Sequence, residues 1–305
     1  MDTLLKPAPL KKGDTIGVMA PSSYVERKDI EKAKAYIEKK GYKVFVHPQT
    51  FERHNQSAGT QLQKTLALQG LWQRDDIKAI WTATGGNRSM SLLDSINFEA
   101  MKRKPKILIG FSDVTTLLNG IYAHTHIPTF HGPVFKFAHD YGKQIDQLFD
   151  LLGGKKVAYP WAKTKVLVEG KAEGKLIGGN LSLFQYLPKT LPDGFYKDSI
   201  LFFEDCHEEI SRIDRTLLYL KRLGVLKEAK GIIFGQFSSM RDNGRPFGFT
   251  LEEIIREHTE GLGIPVVMNA PFGHEKDLYS FPLGVKASLD TKKKTLTLKE
   301  TAVGK

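Results

Sequence analysis

A lone serine stands in the stretch IGFSDVTTLL, where Ser112 follows a run of aliphatic residues. The aliphatic run predicts a strand, Gly110 permits a sharp turn, and apolar residues at helical spacing come after the serine. The hydroxyl therefore lies at a strand-to-helix turn, where free backbone N–H groups could hold a developing oxyanion. The G-x-S-x-G nucleophile elbow uses this arrangement, although Val114 replaces its last glycine here. The alternative is that Ser112 or Asp113 only caps the helix.

A serine nucleophile needs a base, and the base needs a carboxylate that orients it. His274 lies in the glycine- and proline-rich stretch APFGHEKDLYSFPLG, directly after a predicted strand, and is a candidate base. Glu204 ends the apolar run ILFF, where a carboxylate at the end of a strand can point into a cleft. A solvated loop histidine and a strand-terminating acid would give the same patterns. The local sequence alone does not connect these residues to one another.

Two other groupings could do chemistry. His124, His126 and His131 lie within eight residues, so a metal-dependent hydrolase is an alternative. A helical pattern runs into this cluster and no acidic residue stands at ligand spacing, which argues against a metal site. Cys206 beside His207 could suggest a thiol nucleophile, but adjacent residues of an extended chain point to opposite faces.

The elements that must position Ser112 alternate between strand and helix along the first half of the chain. Nearly continuous apolar strands separated by helices predict a parallel sheet covered on both faces. Ligand sites on such sheets lie beyond the carboxyl ends of the strands, where residues 21–23, 85–87 and 110–113 would fall. The predicted strands are 15–20, 43–46, 77–84 and 106–110, and the predicted helices are 27–40, 60–73 and 91–101.

The chain length of 305 residues predicts two domains. We expect an N-terminal α/β domain at 1–155 that carries the nucleophile and a linker at 156–169, where glycine, proline and lysine interrupt the pattern. Residues 170–305 would form a less regular α+β domain that carries Glu204 and His274. Its predicted strands are 199–203, 231–237, 266–268 and 293–299, with a helix at 213–223.

Composition excludes several classes of protein. The net charge is +11, but the lysines are scattered and no nucleic-acid-binding motif is present, so we expect no nucleic-acid partner. No run approaches the roughly 18 to 20 apolar residues of a membrane span, and residues 1–13 lack the apolar core of a signal peptide. A single cysteine, Cys206, rules out an intramolecular disulfide. These features predict a cytoplasmic protein.

Eight segments along the chain together resemble the serine LD-carboxypeptidase family, which includes muramoyl-tetrapeptide carboxypeptidases and microcin C self-immunity peptidases. The resemblance implies a flavodoxin-like N-terminal domain with a parallel sheet and a C-terminal barrel-like α/β domain. It also implies a homodimer that uses neither a metal nor an organic cofactor. The segments are, in order, LKKGDTIGVMAPSS, ATGGNRSMSLLD, ILIGFSDVTTLL, HGPVF, EGKLIGGNLSLF, LFFEDCHEEISRIDRTL, GIIFGQF and FGHEKDLYSFPLG.

The resemblance assigns roles to residues that the local patterns left open. Ser112 matches the family's nucleophile, His274 its general base and Glu204 the acid that orients the base. The oxyanion hole would consist of the backbone N–H groups of Gly86 and Asp113. The family's mechanism is acyl transfer, and we expect Ser112 from one domain to face His274 from the other across an interdomain cleft.

The substrate is less clearly indicated. The loop TGGNRS differs from the RGGYG-like loop of many muropeptide-cleaving members and is closer to the GGxxSN-like loop of the microcin-immunity branch. Asn87 and Arg88 of this loop are candidate substrate-binding residues, since Arg88 could bind a carboxylate or phosphate in a bidentate way. It could equally be an exposed structural arginine.

Two substrates and one function of another class stay open. Removal of the terminal D-alanine from an L,D linkage of a peptidoglycan tetrapeptide is the family's default. Hydrolysis of the amide of a peptidyl or aminoacyl nucleotide is the alternative. A non-catalytic protein built from two α/β domains would bind a peptide or nucleotide without turning it over.

Overall fold

The computed structural model describes residues 3–157, 159, 161, 163–242 and 244–304. None of the described helices is both long and apolar enough to cross a membrane. The helices are α1 (Arg27–Lys39), α2 (Gln61–Gln73), α3 (Phe98–Arg103), α4 (Thr115–Thr125), α5 (Gly142–Leu152), α6 (Leu181–Phe184), α7 (Ile210–Arg222), α8 (Val225–Glu228) and α9 (Leu251–Thr259). The strands are β1 (Thr15–Met19), β2 (Lys43–Val46), β3 (Ile77–Thr82), β4 (Ile107–Gly110), β5 (Thr129–His131), β6 (Lys165–Val168), β7 (Lys171–Asn180), β8 (Ser199–Cys206), β9 (Gly231–Ser238), β10 (Val266–Met268), β11 (Phe281–Leu283), β12 (Lys286–Asp290) and β13 (Thr295–Leu298).

The first sheet has six strands in the order β11-β5-β4-β3-β1-β2. All neighbours pair in parallel except β11, which is antiparallel to β5. Its central strands are almost entirely apolar because helices cover both faces, and Ile16, Ile80 and Leu108 have no exposed surface. The parallel sheet expected for the N-terminal domain is confirmed.

The second sheet has seven strands in the order β13-β12-β7-β8-β9-β10-β6. Strands β7 to β10 pair in parallel at its centre, and antiparallel strands flank them on both sides. The sheet is curled into a half-barrel, which confirms the barrel-like α/β class expected for this part of the chain. Its buried centre includes Phe202, Phe203 and Phe234.

The contacts divide the chain into two compact units. The first comprises 1–156, 280–285 and 301–305, and the second comprises 157–279 and 286–300. The C-terminal part expected at 170–305 is thus interrupted at 280–285, where β11 hydrogen-bonds to β5 of the first sheet, and its last residues, 301–305, also group with the first unit. In the expected linker, Lys165–Val168 form strand β6, and Ala158, Pro160 and Ala162 lie outside the described residues.

Two predicted elements are divided in the structure. The helix expected at 91–101 is a 3₁₀ turn followed by α3, because the Asn97 side chain accepts the N–H of Ala100 and starts a new helix. The strand expected at 293–299 is shorter, because a turn occupies its first residues before β13 begins. In that turn the Asp290 carboxylate accepts the N–H of Lys293.

Candidate active site

Ser112 occupies a turn between β4 and α4. It begins a 3₁₀ turn (Ser112–Val114), and its φ of +60° lies in the left-handed region, which costs a residue with a side chain about 1–2 kcal/mol. The residues at the N-cap positions of the 3₁₀ turn and of α4 are Phe111 and Val114, and neither makes a side-chain cap. The structure therefore does not support the capping alternative for Ser112, and the strained backbone is typical of a functional turn.

Gly85 and Gly86 bring a second loop close to this turn. A Cβ on Gly85 would lie 3.0 Å from the Cβ of Ser112, so only a glycine allows this approach without a shift. Gly86 has a φ of +119°, and a Cβ there would collide with the hydroxyl of Ser23. The N–H of Ser23 donates to the carbonyl of Gly85 over 3.3 Å. The loop that follows β3 is thus held between the loop that follows β1 and the Ser112 turn.

Asp113 ties these loops together. Its buried carboxylate accepts the hydroxyl of Ser22 over 2.6 Å and the N–H of Ser89 over 2.9 Å. The Ser89 hydroxyl donates to the carbonyl of Asp113 over 2.7 Å. The interpretation of the Asp113 side chain as a helix cap is therefore wrong, since its hydrogen bonds go to other loops. Sequence reasoning placed residues 21–23 at this end of the sheet but assigned no role to Ser22 or to Ser89.

Asn87 and Arg88 are exposed in the loop that follows β3. Arg88 has a φ of +76°, and both residues line a groove of about 340 Å³ together with His54 and neighbours up to Gln61. No acidic residue is among those described as lining this groove. Among the described residues that line the groove, Arg88 is the one with a permanent charge.

Glu204 and His274 form a hydrogen-bonded pair within the second unit. Nδ1 of His274 lies 2.7 Å from Oε2 of Glu204, whose side chain has no exposed surface. Glu204 stands near the end of β8, between β7 and β9 at the centre of the sheet. The loop that carries His274 is held against β9, where the N–H of Gln236 donates to the carbonyl of Phe272 over 2.8 Å. Glu204 and His274, which the sequence singled out separately, are therefore in direct contact in the structure.

The surroundings of His274 favour its charged form. Burial by itself lowers the pKa of the imidazole, but the Glu204 carboxylate and a hydrogen bond with the side chain of Cys206 outweigh burial. The net effect raises the pKa of His274 above the ordinary value of 6.5. Glu204 therefore holds an imidazolium well, which is what a base that receives a proton needs. Cys206 neighbours the candidate base, a contact that sequence reasoning missed.

Asp205 supports the strand that carries Glu204. Its buried carboxylate accepts the side-chain N–H of Asn180 over 3.0 Å and the hydroxyl of Ser182 over 2.7 Å. The backbone N–H groups of Ser182 and Cys206 donate to it as well, each over 2.9 Å. Burial and the nearby charge of Glu204 raise the pKa of Asp205 to about 6. The side chain thus links the end of β7 to the end of β8.

The three clustered histidines have three different environments. His124 stacks on the ring of Phe98 at 4.5 Å, and His126 ends α4 in the left-handed conformation. His131 is fully buried in β5 with its edge near Phe111. Within the ranges that the structure describes, no group of three or more His, Cys, Asp and Glu side chains is placed to hold a metal ion.

Comparisons with known proteins identify the family of the chain. The model of the LD-carboxypeptidase N-terminal domain matches residues 16–132, and that of the C-terminal domain matches residues 173–289. The chain is 33% identical over 308 residues to the probable murein peptide carboxypeptidase of Bacillus subtilis (strain 168), covering 96% of this chain and 94% of that protein. It is 28% identical to the microcin C7 self-immunity protein MccF of Escherichia coli, covering 96% and 95% of the two chains.

A solved structure extends this likeness to three dimensions. MccF in complex with glutamyl sulfamoyl guanosine matches with a TM-score of 0.90 at 26% identity, covering 98% of this chain and 100% of that chain. The similarity in sequence and the similarity in fold to these proteins thus both extend along nearly the whole chain. The chain belongs to the LD-carboxypeptidase family.

Proposed function

We propose that this chain is a serine-type LD-carboxypeptidase that hydrolyses an amide bond by acyl transfer. Ser112 is the nucleophile and His274 is the general base. Glu204 is the acid that orients His274 and stabilises its protonated form. The observation that carries the proposal is the 2.7 Å hydrogen bond between His274 and the fully buried Glu204 in a member of this family. The left-handed turn at Ser112, which is not the N-cap residue of the 3₁₀ turn or of α4, supports its role as the nucleophile.

The first half of the proposed reaction forms an acyl-enzyme. His274 takes the proton of the Ser112 hydroxyl as Oγ attacks the carbonyl carbon of the scissile amide. The oxyanion of the tetrahedral intermediate receives hydrogen bonds from the backbone N–H groups of Gly86 and Asp113. As the C–N bond breaks, the imidazolium gives its proton to the leaving amine.

The second half returns the enzyme to its starting state. His274, now neutral, takes a proton from a water molecule as that water attacks the acyl carbon. The proton then passes to Oγ of Ser112 as the ester bond breaks, which releases a carboxylic acid. Glu204 stabilises the imidazolium in both halves of the reaction, because its carboxylate is fully buried and water does not compete for its hydrogen bond to His274.

The proposed substrate is the L,D-peptide bond of a peptidoglycan-derived tetrapeptide, with D-alanine as the leaving residue. The relative that supports this choice is the probable murein peptide carboxypeptidase, which is 33% identical over nearly the full length of both chains. A peptide of this kind carries carboxylates. Asn87 and Arg88 would bind such a group, because the groove that they line presents a guanidinium and no acidic side chain.

A second candidate is the amide of a peptidyl or aminoacyl nucleotide, whose cleavage would give self-immunity or detoxification. The observation in its favour is the TM-score of 0.90 to MccF, a protein solved in complex with glutamyl sulfamoyl guanosine. The same groove could then receive the phosphate or sulfamate of the conjugate.

One experiment separates the candidates. Wild type and Ser112→Ala are incubated with a D-alanine-terminated muropeptide tetrapeptide and, separately, with an aminoacyl sulfamoyl adenosine, and products are followed by mass spectrometry. We expect the wild type to release D-alanine and the variant to release none. Cleavage of the nucleotide conjugate alone would change the substrate and keep the mechanism.

Other outcomes overturn the mechanism. Equal cleavage by both proteins, or loss of activity on chelation of metal ions, would contradict the triad. Binding of either compound by the wild type without turnover would favour the non-catalytic binding protein.

We also propose that the protein acts in the cytoplasm as a homodimer. A single cysteine is compatible with a reducing compartment, and the dimer is suggested by the family resemblance. Sedimentation equilibrium tests the dimer, and a monomer at micromolar concentration would contradict it.

A further inference from the structure

Lys64 is a buried lysine behind the loop that follows β3. Its side chain is almost without exposed surface, which is rare for lysine and requires partners. The ammonium donates to the carbonyl of Arg88 over 3.3 Å, and the charge of Asp113 acts on it as well. Burial lowers the pKa of Lys64, and the carboxylate of Asp113 partly offsets this effect. No step of the reaction proposed above uses this group.

The position of Lys64 on α2 explains how it reaches the loop. Lys64, Leu68 and Leu71 share one buried face of the helix at the spacing i, i+4, i+7. Sequence reasoning missed Lys64, although a lysine stands out on this largely apolar face of the helix. A capping box formed by Thr60 and Gln63 fixes the start of the helix one turn before Lys64.

The loop at residues 85–89 is held at three separate points. The carbonyl of Gly85 accepts the N–H of Ser23, and the carbonyl of Arg88 accepts the ammonium of Lys64. Ser89 is held by the carboxylate and the carbonyl of Asp113. Arg88, whose own carbonyl is the second of these points and whose neighbour Ser89 is the third, has a left-handed backbone. A strained conformation of this kind persists only where the surroundings impose it.

We propose that Lys64 is a positioning residue for the oxyanion hole. Through Arg88 and Asp113 it holds the loop that contains Gly86 against the turn that contains Ser112. This inference rests on the proposed function, because it assigns to Lys64 the geometry of the two N–H groups in the acylation step. Lys64 acts through the loop and touches no reacting atom.

Lys106 offers a matched control within the same unit. It is also buried, and its ammonium also donates to backbone carbonyls, those of Arg74 and Ile77. Lys106 stands just before β4 and Ile77 begins β3, so this lysine lies at the amino ends of the strands. Lys64→Met and Lys106→Met thus remove the same group at opposite ends of the same parallel strands.

The test compares kcat, KM and the thermal unfolding midpoint of the two variants with those of the wild type. We expect Lys64→Met to lower kcat about 10- to 100-fold and to change KM by less than about twofold. The reason is that a displaced N–H group of the oxyanion hole weakens binding of the transition state and not binding of the substrate. Lys106→Met should lower the unfolding midpoint and leave kcat within about twofold of the wild type. Ser89→Ala, which removes another anchor of the loop, should lower kcat in the same direction and serves if Lys64→Met does not fold.

The losses in Lys64→Met and Ser89→Ala should be less than additive in the double variant, since both act on one loop. If the wild type is active, three results would overturn the proposed role of Lys64. These are an unchanged kcat, a rise in KM alone, and an equal loss of kcat in the folded Lys106→Met. A wild type that hydrolyses neither the tetrapeptide nor the nucleotide conjugate would overturn both this inference and the proposed function.

Discussion

Nδ1 of His274 lies 2.7 Å from Oε2 of Glu204, and the Glu204 side chain is completely buried. The carboxylate comes from β8, which is paired on both sides within the second sheet, so it is held rigidly. Hydrogen bonding of Nδ1 to the carboxylate leaves Nε2 as the nitrogen that exchanges a proton with a substrate or nucleophile. The consequences can be measured as changes in pH dependence, stability and rate.

Replacement of Glu204 by glutamine should move the pH profile of kcat/KM. The Glu204 charge raises the pKa of His274, and the base must be neutral to act, so activity of the wild type should rise with pH through a pKa above 6.5. In Glu204→Gln we expect this rise at lower pH and a maximal rate about 100-fold lower or more, because a neutral amide does not stabilise the imidazolium. An unchanged midpoint would show that another group controls the rate.

The stability conferred by His274 should decrease as the pH rises. Because its pKa in the folded protein is raised above the unfolded value of 6.5, its contribution is complete below pH 6.5 and is lost as the pH rises through the folded pKa. The free energy of unfolding of the wild type minus that of His274→Gln should therefore be larger near about pH 6 than near about pH 9. Urea denaturation at both values measures it.

His47 provides a control of opposite sign for that measurement. Burial and the charge of Arg74 lower the pKa of His47, so protonation favours the unfolded chain. The wild type minus His47→Gln difference should increase as the pH rises through the lowered pKa of the folded protein, and it should level off above 6.5. Equal slopes for the two histidines would contradict both assignments.

The strain at Ser112 can be separated from its chemistry. Ser112→Ala and Ser112→Gly both remove the hydroxyl, and we expect both to abolish hydrolysis. Since φ is +60° at this position, the glycine variant should be more stable than the alanine variant by about 0.5–1 kcal/mol. Guanidinium denaturation compares them, and an alanine variant of equal or higher stability would contradict a strained turn.

The oxyanion loop should not tolerate a side chain at Gly86. Gly86→Ala places a Cβ against Ser23 in a backbone conformation that alanine rarely adopts, so the loop must shift. We expect kcat to fall about 100-fold, in line with the loss of one oxyanion donor. Gly70→Ala is the control, because that position in α2 has open space and should gain about 0.5–1 kcal/mol of stability. Similar kinetics for both variants would exclude Gly86 from the reaction.

Arg88 should contribute to substrate affinity more than to the chemical step. In Arg88→Gln we expect KM to rise about tenfold with kcat within about twofold, since a charged contact to a carboxylate or phosphate is lost. Arg88→Lys keeps the charge without the planar fork and should recover only part of the affinity. Unchanged KM values in both variants would identify Arg88 as an ordinary surface residue.

The sequence predicted the first sheet well and the second less well. Strands β1, β3 and β4 are short apolar runs that end at glycine, proline or polar residues, so their periodicity and limits are visible locally. Strand β7 (KAEGKLIGGN) begins with alternating small and charged residues, and sequence analysis did not predict it as a strand. Its pairing with β8 on one side and with the distant β12 on the other makes it a strand.

By itself, the sequence determined the family, because eight segments match it in order along the chain. It also identified the strand-to-helix turn at Ser112 and the candidate base and acid, because these depend on residue types and on their order in the sequence. The tertiary structure alone brought Glu204 and His274, 70 residues apart, to hydrogen-bonding distance, since this depends on the register of neighbouring strands. It also decided that Asp113 binds two distant serines rather than capping a helix. Lys64 received its partners in the same way, because a buried charge takes its role from whatever the fold places beside it.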